Sequence, residues 1–195
     1  MDTTTVIVLT VLITLVVVAG AWFAWRWWRS RQLKERFGPE YDRALAVKGD
    51  RSEAEKNLRE RHKRVEEYDL RPLTEEERQG FASRWEDVQR EFVDRPEAAV
   101  SDAHELVEIA MNARGYPVGD IRRQEEDLSV ENPGVVEHYR RACVISERNR
   151  TGEATTEDLR RAMKHYREIF QSVLRSGEVE ETREKRAKRE VHVGR

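Results

Sequence analysis

Two tripeptides, His138-Tyr139-Arg140 and His165-Tyr166-Arg167, repeat one pattern in the C-terminal third of the chain. Each offers an imidazole that titrates near neutrality, a phenol and a permanent cation, a set from which a small-anion pocket can be assembled. Together with Arg114, the residues His138, Arg140, His165 and Arg167 form the candidate ligand-binding group. A plainer reading is preferred: the tyrosines enter a helical core while the flanking His and Arg lie at its rim, their polar ends in water.

Other chemistries lack their motifs. His104-Glu105 opens like a zinc-protease helix, but the fourth position after His104 is Glu108, so the required second histidine is missing. No histidine stands three residues after a Glu, which removes the Glu-x-x-His element of bundle di-iron sites. Cys143 is the single cysteine, so neither an intrachain disulfide nor a Cys-based zinc site can form. Its helical neighbours are apolar, and it reads as a core thiol. Walker loops, Gly-x-Gly-x-x-Gly and Gly-x-Ser-x-Gly are missing too. No catalytic residue, metal ligand or cofactor is expected, and the chain leans away from an enzyme.

The elements that would position these residues read as helices, with no stretch of convincing period-two alternation. Phe81, Trp85, Val88 and Phe92 recur at steps of four, three and four after the capping box Thr74-Glu75-Glu76-Glu77, and Trp85 is the expected central aromatic. Apolar stripes follow at Ala99 to Met111, Val135 to Ser146, and Leu159 to Leu174, the last capped by Thr155 to Asp158. Closer to the N-terminus, Leu33, Phe37, Tyr41 and Leu45 make one thin apolar line broken at Gly38-Pro39. Asp50 is the expected cap of a charged helix reaching about Tyr68, whose seam of Ala54, Leu58 and Val65 would support a short coiled coil or, preferably, a solvated stalk.

Val6 to Trp25 holds no charged residue, although 38% of the whole chain is Asp, Glu, Lys or Arg. Twenty helical residues cover roughly the 30 Å of a bilayer's hydrocarbon core. A cleaved signal peptide is the rival reading, but residues 1 to 5 carry Asp2 and no Lys or Arg, and the apolar run ends in aromatics and arginines. Arg26, Arg29, Arg31, Lys34 and Arg36 follow the run and place the C-terminal side in the cytoplasm, N-out and C-in. Trp22, Trp25, Arg26, Trp27, Trp28 and Arg29 are the expected membrane-interface residues. From Arg26 to Tyr68 there are 13 Lys and Arg against 9 Asp and Glu, a basic excess that anionic lipid head groups would attract. Gly20 and Ala24 are a small-xxx-small pair of the kind through which two spans can meet as a homodimer.

Arg36-Phe37-Gly38-Pro39-Glu40-Tyr41-Asp42, Arg71-Pro72-Leu73, Arg114-Gly115-Tyr116-Pro117, Asp127-Leu128-Ser129-Val130 and Glu157-Asp158-Leu159-Arg160 together resemble a family of uncharacterised bacterial single-span membrane proteins, frequent in actinobacteria. The resemblance runs from the anchor to about Leu174. It implies the architecture and brings no activity or site residue with it.

The expected molecule is all-α: a short extracytoplasmic N-terminus over 1–5, a transmembrane anchor with interfacial aromatics over 6–28, a charged juxtamembrane helical stalk over 29–70, a soluble helical bundle over 71–177 and a charged tail over 178–195. Its expected role is that of an interaction or adaptor module at the cytoplasmic membrane face, with the lipid bilayer and a protein as partners. Nucleic acid is not expected, because glutamates intermingle with the basic tail and no aromatic platform accompanies it. The alternative is a small-anion sensor or enzyme with a cleft near Arg114, His138 and His165.

Overall fold

The computed structural model describes residues 3–117 and 119–176, with backbone alone for 3–11, Arg26 and Arg29. Met1, Asp2 and the expected tail over 178–195 lie outside the described residues, as do the side chains of Val6 to Val11 and of the interface residues Arg26 and Arg29. Among the described residues there are eight α-helices and no strand: α1 (Thr3–Phe37), α2 (Pro39–Lys48), α3 (Arg51–Glu66), α4 (Glu75–Asp94), α5 (Pro96–Ala113), α6 (Ile121–Glu131), α7 (Val136–Arg150) and α8 (Thr156–Arg175). The chain divides into two compact units, 1–59 and 60–195.

In the first unit, Pro39 opens α2 directly after Gly38, where a missing N–H costs no helical bond. Gly49 then closes α2 in the left-handed region at φ 70°, its N–H bonded to the Leu45 carbonyl at 2.9 Å. Asp50 caps α3 through the Glu53 N–H at 2.9 Å, as its position in the sequence implies. The turns bring several thin apolar lines under cover. Phe37, Tyr41, Ala44, Ala54 and Leu58 are all buried, and Glu55 beside them is buried with four donors around it. The stretch read as a solvated stalk therefore contains a small packed unit at its start. Each line is too narrow alone because burial comes from the end of α1, α2 and the start of α3, which two glycine turns fold together.

In the second unit α5 is the central helix, paired with α4 and with α8, while α7 packs on α8 and α6 on α7. The reason lies in its composition. Ala99, Val100, Ala103, Leu106, Val107, Ala110 and Met111 are all buried, and the three alanines let neighbouring helices approach closely. Trp85 of α4 is buried and stacked on Phe170 of α8, ring centroids 4.9 Å apart and planes within 17°. Phe92, about two turns later, is half-buried at the margin of that core. Capping boxes start α4 at Thr74 with Glu77 and α8 at Thr155 with Asp158.

One glycine fixes how the link before α4 meets the end of α5. Gly115 sits at φ 100°, and a Cβ there would lie 2.5 Å from the Asp69 carbonyl oxygen. Only glycine permits this contact. Beside it the Arg71 N–H donates to the Arg114 carbonyl at 2.9 Å.

Candidate functional site

The structure brings together two of the five residues in the candidate ligand-binding group. His138 near the start of α7 and His165 in the middle of α8 meet with their Nδ1 atoms 3.0 Å apart and their rings edge to face. One Nδ1 must donate and the other accept, so the pair holds opposite tautomers when neutral. Burial, followed by the charges of His138 and Arg141, holds the His165 imidazole below its ordinary value. Two imidazolium rings at this distance would repel, and the bond between the two Nδ1 atoms requires that at least one ring be neutral.

The arginines of the group go elsewhere. Arg114 is fully buried and its guanidinium donates to Glu131 Oε2 at 3.0 Å, with a longer bond to the Arg71 carbonyl at 3.4 Å. The same Glu131 oxygen accepts from the Tyr116 hydroxyl at 2.6 Å, and burial pushes that phenol up, with the Glu131 charge adding to the effect. Arg114 is therefore part of an internal lock between the end of α5 and the end of α6. It stands at the C-cap of α5, directly before the positive-φ Gly115, and is buried where an open pocket would need it exposed. Arg140 pairs with Glu125 of α6 and has Glu137 at 3.7 Å. Arg167 is exposed on α8.

The tyrosines of the repeat behave as the plainer reading expects. Tyr139 and Tyr166 are fully buried. Tyr139 donates to Gln124 Oε1 at 2.7 Å; Tyr166 lies 2.6 Å from Ser146 Oγ and 3.2 Å from His104 Nδ1. These bonds tie α5, α6, α7 and α8 at their polar seams. Cys143 is half-buried on the same face of α7, and burial pushes its thiol up to about 12, with Glu125 and Glu108 adding to the rise. A thiol so high is protonated at neutral pH and carries no nucleophile.

A second clasp was not foreseen. Asp127 of α6 is fully buried and accepts from Arg64 of α3 at 2.8 Å and from the Tyr68 hydroxyl at 2.7 Å, while Glu126 takes a second Arg64 nitrogen at 2.9 Å. Nothing in a charged helix marks which of its arginines will find a buried carboxylate some sixty residues later.

The open concavities described lie in the first unit. A cavity of about 390 Å³ is lined by Trp27, Arg31, Lys34, Tyr41, Asp42 and Arg51, with Ser30 and Leu45. A smaller one of about 70 Å³ joins Phe23 and Trp27 to Ser30, Arg51 and Glu55. Glu55 is the floor. Its Oε1 accepts from Ser30 Oγ at 2.6 Å, from Arg51 Nε at 3.0 Å and from the Tyr41 hydroxyl at 3.1 Å. Burial alone would raise this carboxyl; the bonds from Ser30, Arg51 and Tyr41 outweigh it and hold the group below its usual range. Arg51 thus stands upright on a buried carboxylate, a second nitrogen bonded to Ser30.

Among the described residues no group of three or more His, Cys, Asp or Glu could hold a metal ion. Over the same residues no helix is long and apolar enough to cross a membrane; the first part of the expected span, Val6 to Val11, lies outside that description. Compared with protein-family models, with curated proteins and with solved structures, the chain matches none.

Proposed function

We propose that the chain is a membrane-tethered helical adaptor, its N-terminal helix anchored in the bilayer and its later helices presented to a protein partner at the cytoplasmic face. The same reading groups it with the single-span bacterial family that its motifs resemble.

One observation carries the anchor. Leu15, Val16, Val17 and Val18 are between 60% and 69% exposed, and four consecutive residues at about 100° each face every side of a helix. No face of this part of α1 is packed. Between Leu12 and Trp28 eleven large apolar side chains stand exposed, each worth about 1.5–3 kcal/mol when removed from water. A helix that is apolar all round suits lipid. In sequence the uncharged run continues upstream to Val6, a spanning length, and Trp22, Trp25, Trp27 and Trp28 fall where the run meets its arginines. The adaptor role rests on the helical surfaces that the two units offer.

Membrane fractions of cells expressing the full chain test the reading. The protein is expected to stay in the membrane pellet after alkaline carbonate extraction, and a reporter fused after Arg195 to be active only as a cytoplasmic fusion. Release into the supernatant, or reporter activity outside the cytoplasm, overturns it.

A further inference from the structure

The groove of the first unit has the chemistry of a site for a phosphate group. Arg31, Lys34 and Arg51 line it, and Arg59 stands behind at 3.6 Å from Glu55. Asp42 is the one carboxylate in the lining given for this groove, while Glu35 and Glu55 pair with Arg31 and Arg51 beside it. The pairs differ in how firmly they are made. Arg31–Glu35 at 3.0 Å and Lys34–Asp42 at 3.3 Å join side chains all more than 60% exposed, and such pairs exchange readily for a stronger anion. Arg51 is different. Its bonds to Glu55 and Ser30 orient it while its side chain stays 57% exposed, so a guanidinium is held in place at the mouth of the groove.

The apolar surroundings decide what kind of phosphate. Trp27 is shared by both cavities, and Phe23 lines the smaller one, so the polar groove continues directly onto the exposed apolar flank of α1. A free phosphate would use the cations and leave that flank uncovered. An amphiphile would cover both, with its phosphate among Arg31, Lys34 and Arg51 and its acyl chains along Phe23, Trp22 and the aliphatic turns above. We propose that this groove binds the phosphate of an anionic glycerophospholipid, which fixes the first helical unit against the membrane surface. The inference rests on the membrane-anchored reading and gives it a specific lipid contact.

The test uses the full chain reconstituted into nanodiscs of phosphatidylcholine, with and without phosphatidylglycerol, followed by native mass spectrometry of the lipids retained on the released protein. Phosphatidylglycerol is expected to be retained in preference to phosphatidylcholine. The double variant Arg31→Gln/Lys34→Gln should lower that preference at least about tenfold, each cation near an anionic lipid contributing roughly fivefold. Arg36→Gln/Arg43→Gln, which removes the same charge outside the groove lining, should leave it nearly intact. Arg51→Lys, which keeps the charge and loses the fork, should weaken it with helical circular dichroism unchanged. Equal losses in the two double variants would reduce the effect to general charge attraction and overturn the groove. Competition by glycerol phosphate or inorganic phosphate at millimolar concentration would assign the site to a soluble ligand and overturn the lipid. A chain that enters nanodiscs without preferring phosphatidylglycerol refutes the groove alone; a chain that does not enter them refutes the anchor as well.

Discussion

Arg114 is buried with Glu131 and the Arg71 carbonyl receiving its N–H groups, and this makes it costly to replace. Arg114→Gln leaves Glu131 facing Tyr116 without its cation, and breaking a buried pair costs about 3–5 kcal/mol. The thermal midpoint of the full chain should fall by about 10 °C, at 2–4 °C per kcal/mol for a protein of this size. A fall below about 2 °C would show that the pair contributes as little as a surface one. Trp85→Ala removes a buried ring stacked on Phe170 and should cost about 3–5 kcal/mol, whereas Trp28→Ala, exposed on α1, should leave the unfolding of the second unit unchanged. Gly115→Ala drives a Cβ toward the Asp69 carbonyl at a backbone angle alanine avoids; about 2 kcal/mol or more should be lost, and an unchanged denaturant midpoint would refute the close approach.

At the scale of elements the α7–α8 hairpin carries a pH response. The folded state holds the His165 imidazole below its ordinary value, so the unfolded chain binds protons more readily as pH falls. The contribution of the neutral His165 imidazole is complete above the unfolded value of about 6.5 and is lost as pH falls through the lower folded value. Thermal unfolding from pH 8 to pH 5 should therefore show a midpoint that declines below about pH 6.5, and His138→Gln should flatten that decline. A wild-type midpoint that rises on acidification would reverse the assignment. The clasp between α3 and α6 is the other element-scale joint. Arg64→Ala leaves Asp127 buried with only Tyr68 as a charge-neutral donor, and amide exchange over 62–68 should quicken markedly while the α5 core stays protected.

For the whole molecule the proposed membrane anchor would make the cations that follow the apolar run directional. If the chain is anchored as proposed, replacing Arg26, Arg29, Arg31, Lys34 and Arg36 together by Gln should weaken the proposed cytoplasmic orientation of a C-terminal reporter, because such charges resist translocation. Unchanged topology would remove that cause and leave the helical units as they are. Exposure of the apolar flank of α1 has a second consequence: the chain without lipid or detergent should self-associate, and light scattering during detergent removal measures it.

Helix positions, caps and core faces were legible in the order of residues because each depends on neighbours within a turn or two. Thr74 with Glu77, Asp50 with Glu53, and the stripe from Ala99 to Met111 form through contacts that a 3.6-residue period already implies. The burial of Tyr139 and Tyr166 followed from the same periodicity. Partners of the charged side chains were not legible. That Arg114 would meet Glu131 instead of His138, that Arg64 would reach Asp127, and that Arg51, Ser30 and Tyr41 would converge on Glu55 depended on how helices cross and on which turn reverses the chain. A helix rich in Arg and Glu offers many nearly equivalent pairings, each worth little at the surface. Only tertiary burial selects one, because an ion pair removed from water must be complete to be tolerated at all.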